Sequence, residues 1–401
     1  GGLTGFAILR TFEIEDFQSE MVWKNLFLSM FVTQRGLLLA LPSGLILLYA
    51  WRERYFRGSE HVLPVWLQLL IYASLPLFNL HAFLFLSLVL GAIFAAKLAA
   101  VRSWNPLATG APREIFVFVA LALLPATLCI LLVTGFLSMA GAIRWAPGWV
   151  GGGNLSTWIW NFGLTLPLTL LLVFMLFRSK DNEARCFVWT AVGIFGLCGI
   201  VSFAPWEWDN MKLMLWSWLV IAPYLWTKII AKVNLAARVA VCFVLFFSGA
   251  VSLIGGLDAR HGYAIARRSE LDAWKHALVG IPPEVRFACV PDYNHPLLLL
   301  GRKVACGYEG HLWSHGLNYH QKLDLLRKAL TGGATWQEIA PSLDVQWLAL
   351  RKADLPACQP PGDPPPDDSF GALYDLRPMV RQDPATPEVP QLRPQPVGLP
   401  W

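Results

Sequence analysis

Charged residues are scarce in this sequence. Asp, Glu, Lys and Arg supply 15% of its 401 residues, against 55% hydrophobic and 13% aromatic, a balance that excludes an ordinary soluble domain, in which about a quarter of residues are charged. There is no glycine-rich phosphate loop, no dinucleotide fingerprint behind a strand, no serine nucleophile elbow and no cysteine pair at zinc spacing. These absences remove nucleotide-dependent, hydride-transfer and hydrolase chemistries as first readings. The opening residues lack the basic, apolar, small-residue order of a signal peptide, and the chain starts Gly1-Gly2 without Met, so it reads as the later part of a longer protein. Lys and Arg do not cluster with aromatics outside the apolar runs, which argues against nucleic acid as a partner despite a net charge of +5. Of seven cysteines, Cys129, Cys186, Cys198 and Cys242 fall inside apolar runs as small hydrophobes. Cys289, Cys306 and Cys358 lie in the polar part, where an odd number forbids complete pairing and a Cys289–Cys306 disulfide is left open.

What is present is a succession of apolar runs of membrane-spanning length. Eight spans are expected: Arg35 to Trp51, two helices within Val62 to Ala100 meeting at the polar break Asn79-Leu80-His81, then Glu114 to Met139, Leu155 to Phe177, Cys186 to Phe203, Met211 to Trp226 and Ala236 to Ile254. Alternate loops divide sharply by charge. One set carries Arg52, Arg54, Arg57, Lys97, Arg102, Arg113, Arg178, Lys180, Arg185, Lys228, Lys232 and Arg238, the other only Arg144 and Lys212. Basic residues are retained on the cytoplasmic side. The asymmetry therefore puts residues 1–34, the Asn79 to His81 break, the loops Ala140 to Asn154 and Trp206 to Lys212, and everything beyond Gly255 on the outer face.

The expected fold is mainly α, a polytopic transmembrane helical bundle with a small C-terminal extracytoplasmic α/β domain. Residues 1–34 form an extracytoplasmic or interfacial segment, 35–255 the transmembrane domain, 256–352 the α/β domain and 353–401 a Pro-rich disordered tail. In the α/β domain, Val285 to Val290, Lys303 to Cys306 and Val345 to Leu350 read as strands, and His320 to Leu330 and Thr335 to Leu343 as helices.

Three constellations could carry chemistry. The first is Glu207, Asp209, Asn210 and Lys212, four ionisable or amide groups in six residues between two apolar runs, where charge is expensive unless it meets water or serves a site. Carboxylates beside an ammonium could act as base and phosphate clamp, or hold a divalent cation against a phosphate; a solvated loop anchored by Trp206 and Trp208 is the plainer alternative. The second is Asn79 and His81 at the helix break with Arg35 at the same predicted face, a place where broken helices line cavities and free backbone groups bind anions. An Arg snorkelling to the head groups and a satisfied buried His are the plain readings of Arg35 and His81. The third is Gly307-Tyr308-Glu309-Gly310-His311-Leu312-Trp313-Ser314-His315-Gly316. His311 and His315 have the spacing of a helical metal pair, but the flanking glycines argue for a loop, so no metal ligand is assigned and the stretch is expected to contact substrate or the outer loops.

The run from Asn25-Leu26-Phe27 to Gln34-Arg35-Gly36, the Asn79-Leu80-His81 break, Pro205-Trp206-x-Trp208-Asp209-Asn210-x-Lys212 and Gly307-Tyr308-x-Gly310-His311-x-Trp313-Ser314-His315-Gly316 together resemble bacterial multi-span proteins of the C-type (GT-C) glycosyltransferase superfamily. They are similar in build to protein O-mannosyltransferases and lipid A aminoarabinose transferases. The likeness covers most of residues 20 to 352. It implies a bacterial inner-membrane enzyme that moves a sugar, with inversion, from a polyprenyl-phosphate donor to a glycan, lipid or protein acceptor on the outer face. The principal catalytic Asp of such enzymes follows the first span, a position expected upstream of Gly1. That leaves Asp209 and Glu207 as catalytic helpers or ligands of a divalent cation, with Arg35, Lys212, Asn210, His81, Asn79, Tyr308, His311 and His315 binding substrate. The competing expectations are a transporter or flippase of an amphipathic substrate and a non-catalytic envelope assembly protein.

Overall fold

The computed structural model describes residues 2–12, 14, 30–31, 34–59, 63–102, 105, 110–135, 143–148, 155–204, 207–257, 264–362 and 370–380. The chain forms two compact units, Gly1–Gly262 and Tyr263–Trp401. The acidic patch at Glu13, Glu15 and Asp16, the run Asn25-Leu26-Phe27 and the dipeptide Pro205-Trp206 lie outside the described residues.

The first unit is helical: α1 (Ile8–Thr11), α2 (Arg35–Arg52), α3 (Val65–Phe78), α4 (Leu80–Val101), α5 (Ala111–Val133), α6 (Leu155–Phe162), α7 (Thr165–Phe177), α8 (Asn182–Leu197), α9 (Glu207–Lys228) and α10 (Leu235–Leu257). Among the described residues, four helices are long and apolar enough to cross a membrane: α4, α5, α9 continued to Lys232, and α10. The bent pair α6–α7 makes a fifth if it counts as one span. By length and composition the expected eight spans are not shown among the described residues. Every run is helical, but α3 has 14 residues and α8 16, short of the roughly 20 that a bilayer core requires. α2 is bounded by Arg35 and Arg52 and carries Pro42. α6 and α7 meet at 84°, because Gly163 between them takes φ +48°, a conformation that costs glycine little.

A second break is cleaner. Asn79 is extended and its Oδ1 accepts the N–H of Ala82 at 2.9 Å, capping α4, and the chain folds back so that the Tyr72 hydroxyl meets the Ser87 Oγ at 2.7 Å. The core of this unit is apolar and aromatic. Trp216 of α9 is fully buried and stacks on Phe85 of α4 at 5.7 Å. The indole also lies against Gly44 of α2, where any Cβ would collide with it, so the Trp216 side chain fills the space between α9, α4 and α2. Near the chain start, Gly5 donates its N–H to the Ser248 Oγ (3.1 Å) and Leu3 donates to the Trp160 carbonyl (2.7 Å), which lays residues 2–12 against α6 and α10.

The second unit is a small α/β domain. Strands β3 (Arg286–Ala288), β4 (Lys303–Val304), β5 (Trp347–Arg351) and β6 (Gly371–Asp375) form one sheet in the order β4-β3-β5-β6. β4, β3 and β5 are parallel, and β6 runs antiparallel to β5. Apolar clusters cover both faces. Leu323, Leu326 and Leu330 of α14 (His320–Leu330) and Ile339 and Leu343 of α15 (Trp336–Leu343) pack with Leu348 and Leu350. On the other face Trp274 of α11 (Arg268–Ala277) and Leu297 of α12 (Pro296–Leu299) pack with Phe287 and Ala349. The expected strands and helices are all present, within a few residues. One expectation is corrected and one open question is answered. The stretch Gly371–Asp375, assigned to a disordered tail, is the edge strand β6, because Ala372, Tyr374 and Leu376 bury against β5 and its helices; residues 363–369 and 381–401 lie outside the described residues. Cys289 and Cys306 are free thiols.

Candidate functional site

Helix α9 begins at Glu207, so Asp209, Asn210 and Lys212 occupy its first two turns. The expected surface loop from Trp206 to Lys212 is corrected to a helix start. Acidic residues are favoured there because they offset the positive end of the helix dipole. The Glu207 side chain lies outside the described residues. Lys212 reaches back one turn and donates from Nζ to the Asp209 Oδ1 at 2.5 Å, with only 9% and 15% of the two side chains exposed. An ammonium has three donors, and only one is committed to a described residue. His81, in the first turn of α4, feels the charges of both Lys212 and Asp209, so it belongs to the same cluster.

Asn210 has a different task. It is fully buried; its Oδ1 accepts the Phe203 N–H at 2.9 Å, and its Nδ2 donates to the carbonyls of Cys198 (2.9 Å) and Val201 (2.7 Å). Every polar atom of that amide holds the turn between α8 and α9. The turn is pinned again by β2 (Val201–Ser202), which pairs antiparallel with β1 (Arg144–Trp145). Asn79 is likewise occupied, as the cap of α4. The Asn210 amide, buried with its bonds spent, has nothing left to offer a ligand, whereas at Asn79 only the Oδ1 is taken up. Arg35 is exposed at the start of α2 and makes no hydrogen bond or ion pair to a described residue. The following residue, Gly36, lies so close to the Phe78 carbonyl that a Cβ would clash with it. The start of α2 therefore abuts the α3–α4 break, and Arg35, Asn79, His81, Asp209 and Lys212 gather at one end of the helical unit. The partner of the Asp209 carboxylate is an ammonium rather than a second acid, and no group of three His, Cys, Asp or Glu suited to a metal occurs among the described residues.

Tyr308, His311 and His315 belong to the second unit. Glu309–Ser314 is a short helix, α13, rather than the expected loop. Gly310 is needed within it because a Cβ there would strike the Tyr308 ring. Tyr308 stands edge-on to Tyr293 (5.6 Å) and His311 (5.2 Å), while His311 and His315 are exposed. Glu309 accepts from the Tyr319 hydroxyl (3.3 Å) and from Arg327 (3.0 Å), tying α13 to α14.

Sequence reasoning passed over a cluster at the carboxyl ends of β3 and β5, the edge of a parallel sheet where strand order reverses and ligands commonly bind. Arg351 forms a bidentate pair with Asp354 (both 2.9 Å) and donates to Asp292 at 3.1 Å. These hydrogen bonds and ion pairs push the Arg351 pKa further up. His295 beside them is fully buried; its Nδ1 accepts the Leu297 N–H at 3.3 Å. Burial, reinforced by the Arg351 charge, brings its pKa down to about 4, so the imidazole is neutral. The available signal was Asp292-x-Asn294-His295 directly after a strand, with Arg351 ending another. Because the guanidinium is already saturated with carboxylates, the cluster reads as a latch between two strand ends. Comparison with known proteins returns no matching family model, no matching curated protein and no matching solved structure.

Proposed function

We propose that this chain is part of a membrane glycosyltransferase of the GT-C type, in which Lys212 binds the phosphate of a lipid-linked sugar donor. The observation that carries the reading is the nearly buried Lys212–Asp209 pair beside His81, at the end of the helical unit where Arg35 is also held. Transfer breaks the bond between the sugar carbon and the phosphate oxygen and forms one to an acceptor oxygen, whose proton passes to a general base. The charge that develops on the departing phosphate is best met by fixed cations in a site with little water. Lys212, oriented by Asp209, supplies one such cation, and Arg35 a second from the rim. Asp209 holds the ammonium and helps orient the acceptor; it is not assigned as the principal base. On this reading eight helical stretches embed in the bilayer, the short ones shielded by their neighbours, and this end of the unit faces outward in a bacterial inner membrane.

The test is sugar transfer from polyprenyl-phosphate donors in membranes carrying wild type, Asp209→Asn or Lys212→Ala at matched expression. Donor consumed by wild type and spared by both variants supports the assignment. Equal consumption by all three removes the pair from the chemistry. The bent pair α6–α7, added to the break at Asn79, favours a second reading as a transporter of an amphipathic lipid, since discontinuous helices line substrate paths in transporters. Movement of a fluorescent lipid-phosphate across proteoliposomes, with no sugar transferred, would select it.

A further inference from the structure

At the opposite, basic end of the helical unit lies a pocket of about 470 Å³ bounded by the turn Glu53–Arg57, the start of α3 and the first turns of α5. That volume falls within the range of small-molecule sites, about 300–1,000 Å³. Its charged groups are Arg54, Arg113 and Glu114. Arg54 gives its Nε to Glu114 at 2.9 Å, while Arg113 is exposed and bonds to no described residue, so two guanidiniums face one carboxylate. α5 opens here, and its positive dipole end adds to the same sign. Nearby arginines differ: Arg52 and Arg57 are both spent on Glu183. Beyond the charges the wall carries Tyr55 and Gln68 and is otherwise apolar. Val117 and Leu121 line it and are 43% and 58% exposed, and Leu124 and Leu128 continue the same helical face at 69% and 52%. α5 is one of the helices able to cross a membrane. A charged mouth at the water boundary therefore opens onto an apolar lane running along a membrane-length helix.

We propose that this pocket binds one anionic phospholipid of the surrounding bilayer, its phosphate between Arg54 and Arg113 and an acyl chain along Val117, Leu121, Leu124 and Leu128. Basic residues scattered at helix ends serve topology by charge alone; what marks this place is a concavity with an unspent guanidinium and a lipid-facing track leading from it. A phospholipid fits both parts, whereas a free phosphate would use only the mouth.

The experiment reconstitutes the full chain into nanodiscs of equal parts phosphatidylglycerol and phosphatidylcholine and reads retained lipid by native mass spectrometry. Wild type is expected to retain phosphatidylglycerol selectively. Arg113→Glu should cut that retention about fivefold or more, the effect of at least one interfacial charge, with an unchanged melting temperature because the side chain is exposed. Arg178→Glu, which alters an equally exposed arginine elsewhere at this end, should leave retention as in wild type. Equal retention of the two lipids by wild type, or an equal loss in Arg178→Glu, would overturn the proposal in favour of bulk surface charge. Displacement of the retained lipid by soluble glycerol phosphate would overturn it in favour of a site for a free phosphate.

Discussion

The two ends of the helical unit use charge in opposite ways. At the basic end, Glu183 at the start of α8 accepts from Arg52 (2.5 Å), Arg57 (3.2 Å) and the Tyr224 hydroxyl (3.2 Å), and Asp181 accepts from Lys228 at 2.6 Å. The ends of α2 and α9 are thereby bound to the start of α8. The side-chain donors of Glu183 and Asp181 come from other elements. At the other end, among the described side chains of α9, one carboxylate and one ammonium three residues apart pair with each other. That pair joins no two helices and holds an ammonium with donors to spare in a place where charge is costly. The contrast teaches that burial of charge alone does not identify a site. A network that crosses helices explains itself by assembly; an isolated pair within one helix does not.

The sharpest way to break this contrast is Lys212→Ala. If the ammonium meets developing charge on a phosphate, turnover should fall about 10²–10³-fold, the usual cost of removing one donor at such a position, roughly 3–4 kcal/mol of barrier. Turnover is read per folded molecule, because removing the ammonium also strands the nearly buried Asp209 carboxylate and lowers the melting temperature. Glu183→Gln should act on stability alone. Losing the shared carboxylate leaves Arg52 and Arg57 with Glu53 alone, and since those arginines are about a third to a half exposed, the penalty for a broken buried pair is discounted to about 2 kcal/mol. Thermal unfolding should report that loss while turnover per folded molecule stays near wild type. If Glu183→Gln lowered turnover per folded molecule and Lys212→Ala did not, the roles of the two ends would be exchanged.

The elements of both units were legible because their signals are local. Apolar length marks helices, and alternation bounded by glycine and proline marks strands, so the break at Asn79 and the helix His320–Leu330 could be placed from residues alone. Span counting was less legible: hydropathy does not register that α3 stops after 14 residues or that Gly163 turns a single run through 84°. β6 was hidden by its setting, since five residues of strand in a Pro-rich stretch become recognisable only once β5 supplies an edge. The grouping of His81 with Asp209 and Lys212 had a signal in the alternation of loops, which assigns all three to one face. The division of labour within the group had none. Asn210 and Lys212 look equally functional in the sequence, and only the carbonyls of Cys198 and Val201 reveal that the amide is already spent.

Asn210 therefore sharpens the comparison from inside the site. Asn210→Ala leaves two buried carbonyls and the Phe203 N–H without their partner, at about 1–2 kcal/mol. Its effect should appear first in stability and only indirectly in turnover, through a loosened start of α9. Hydrogen exchange at Phe203 and along the first turn of α9 would read this locally, and exchange unchanged from wild type would return Asn210 to the substrate-binding set.

The smallest expected effect is at the helix break. Asn79→Ala removes the side-chain acceptor for the Ala82 N–H, and loss of an N-cap costs about 1 kcal/mol. Asn79→Asp restores an acceptor and, at the positive end of α4, a favourable charge, so it should recover that stability. If Asn79 only caps the helix, turnover follows stability in both variants, because His81 keeps its place whenever the first turn of α4 is intact. If the Asn79 amide also touches the donor lipid, Asn79→Asp will be as stable as wild type and yet slow, since its carboxylate would face a phosphate. Measuring the two variants side by side therefore separates a cap from a ligand at the one residue where α3 ends and α4 begins.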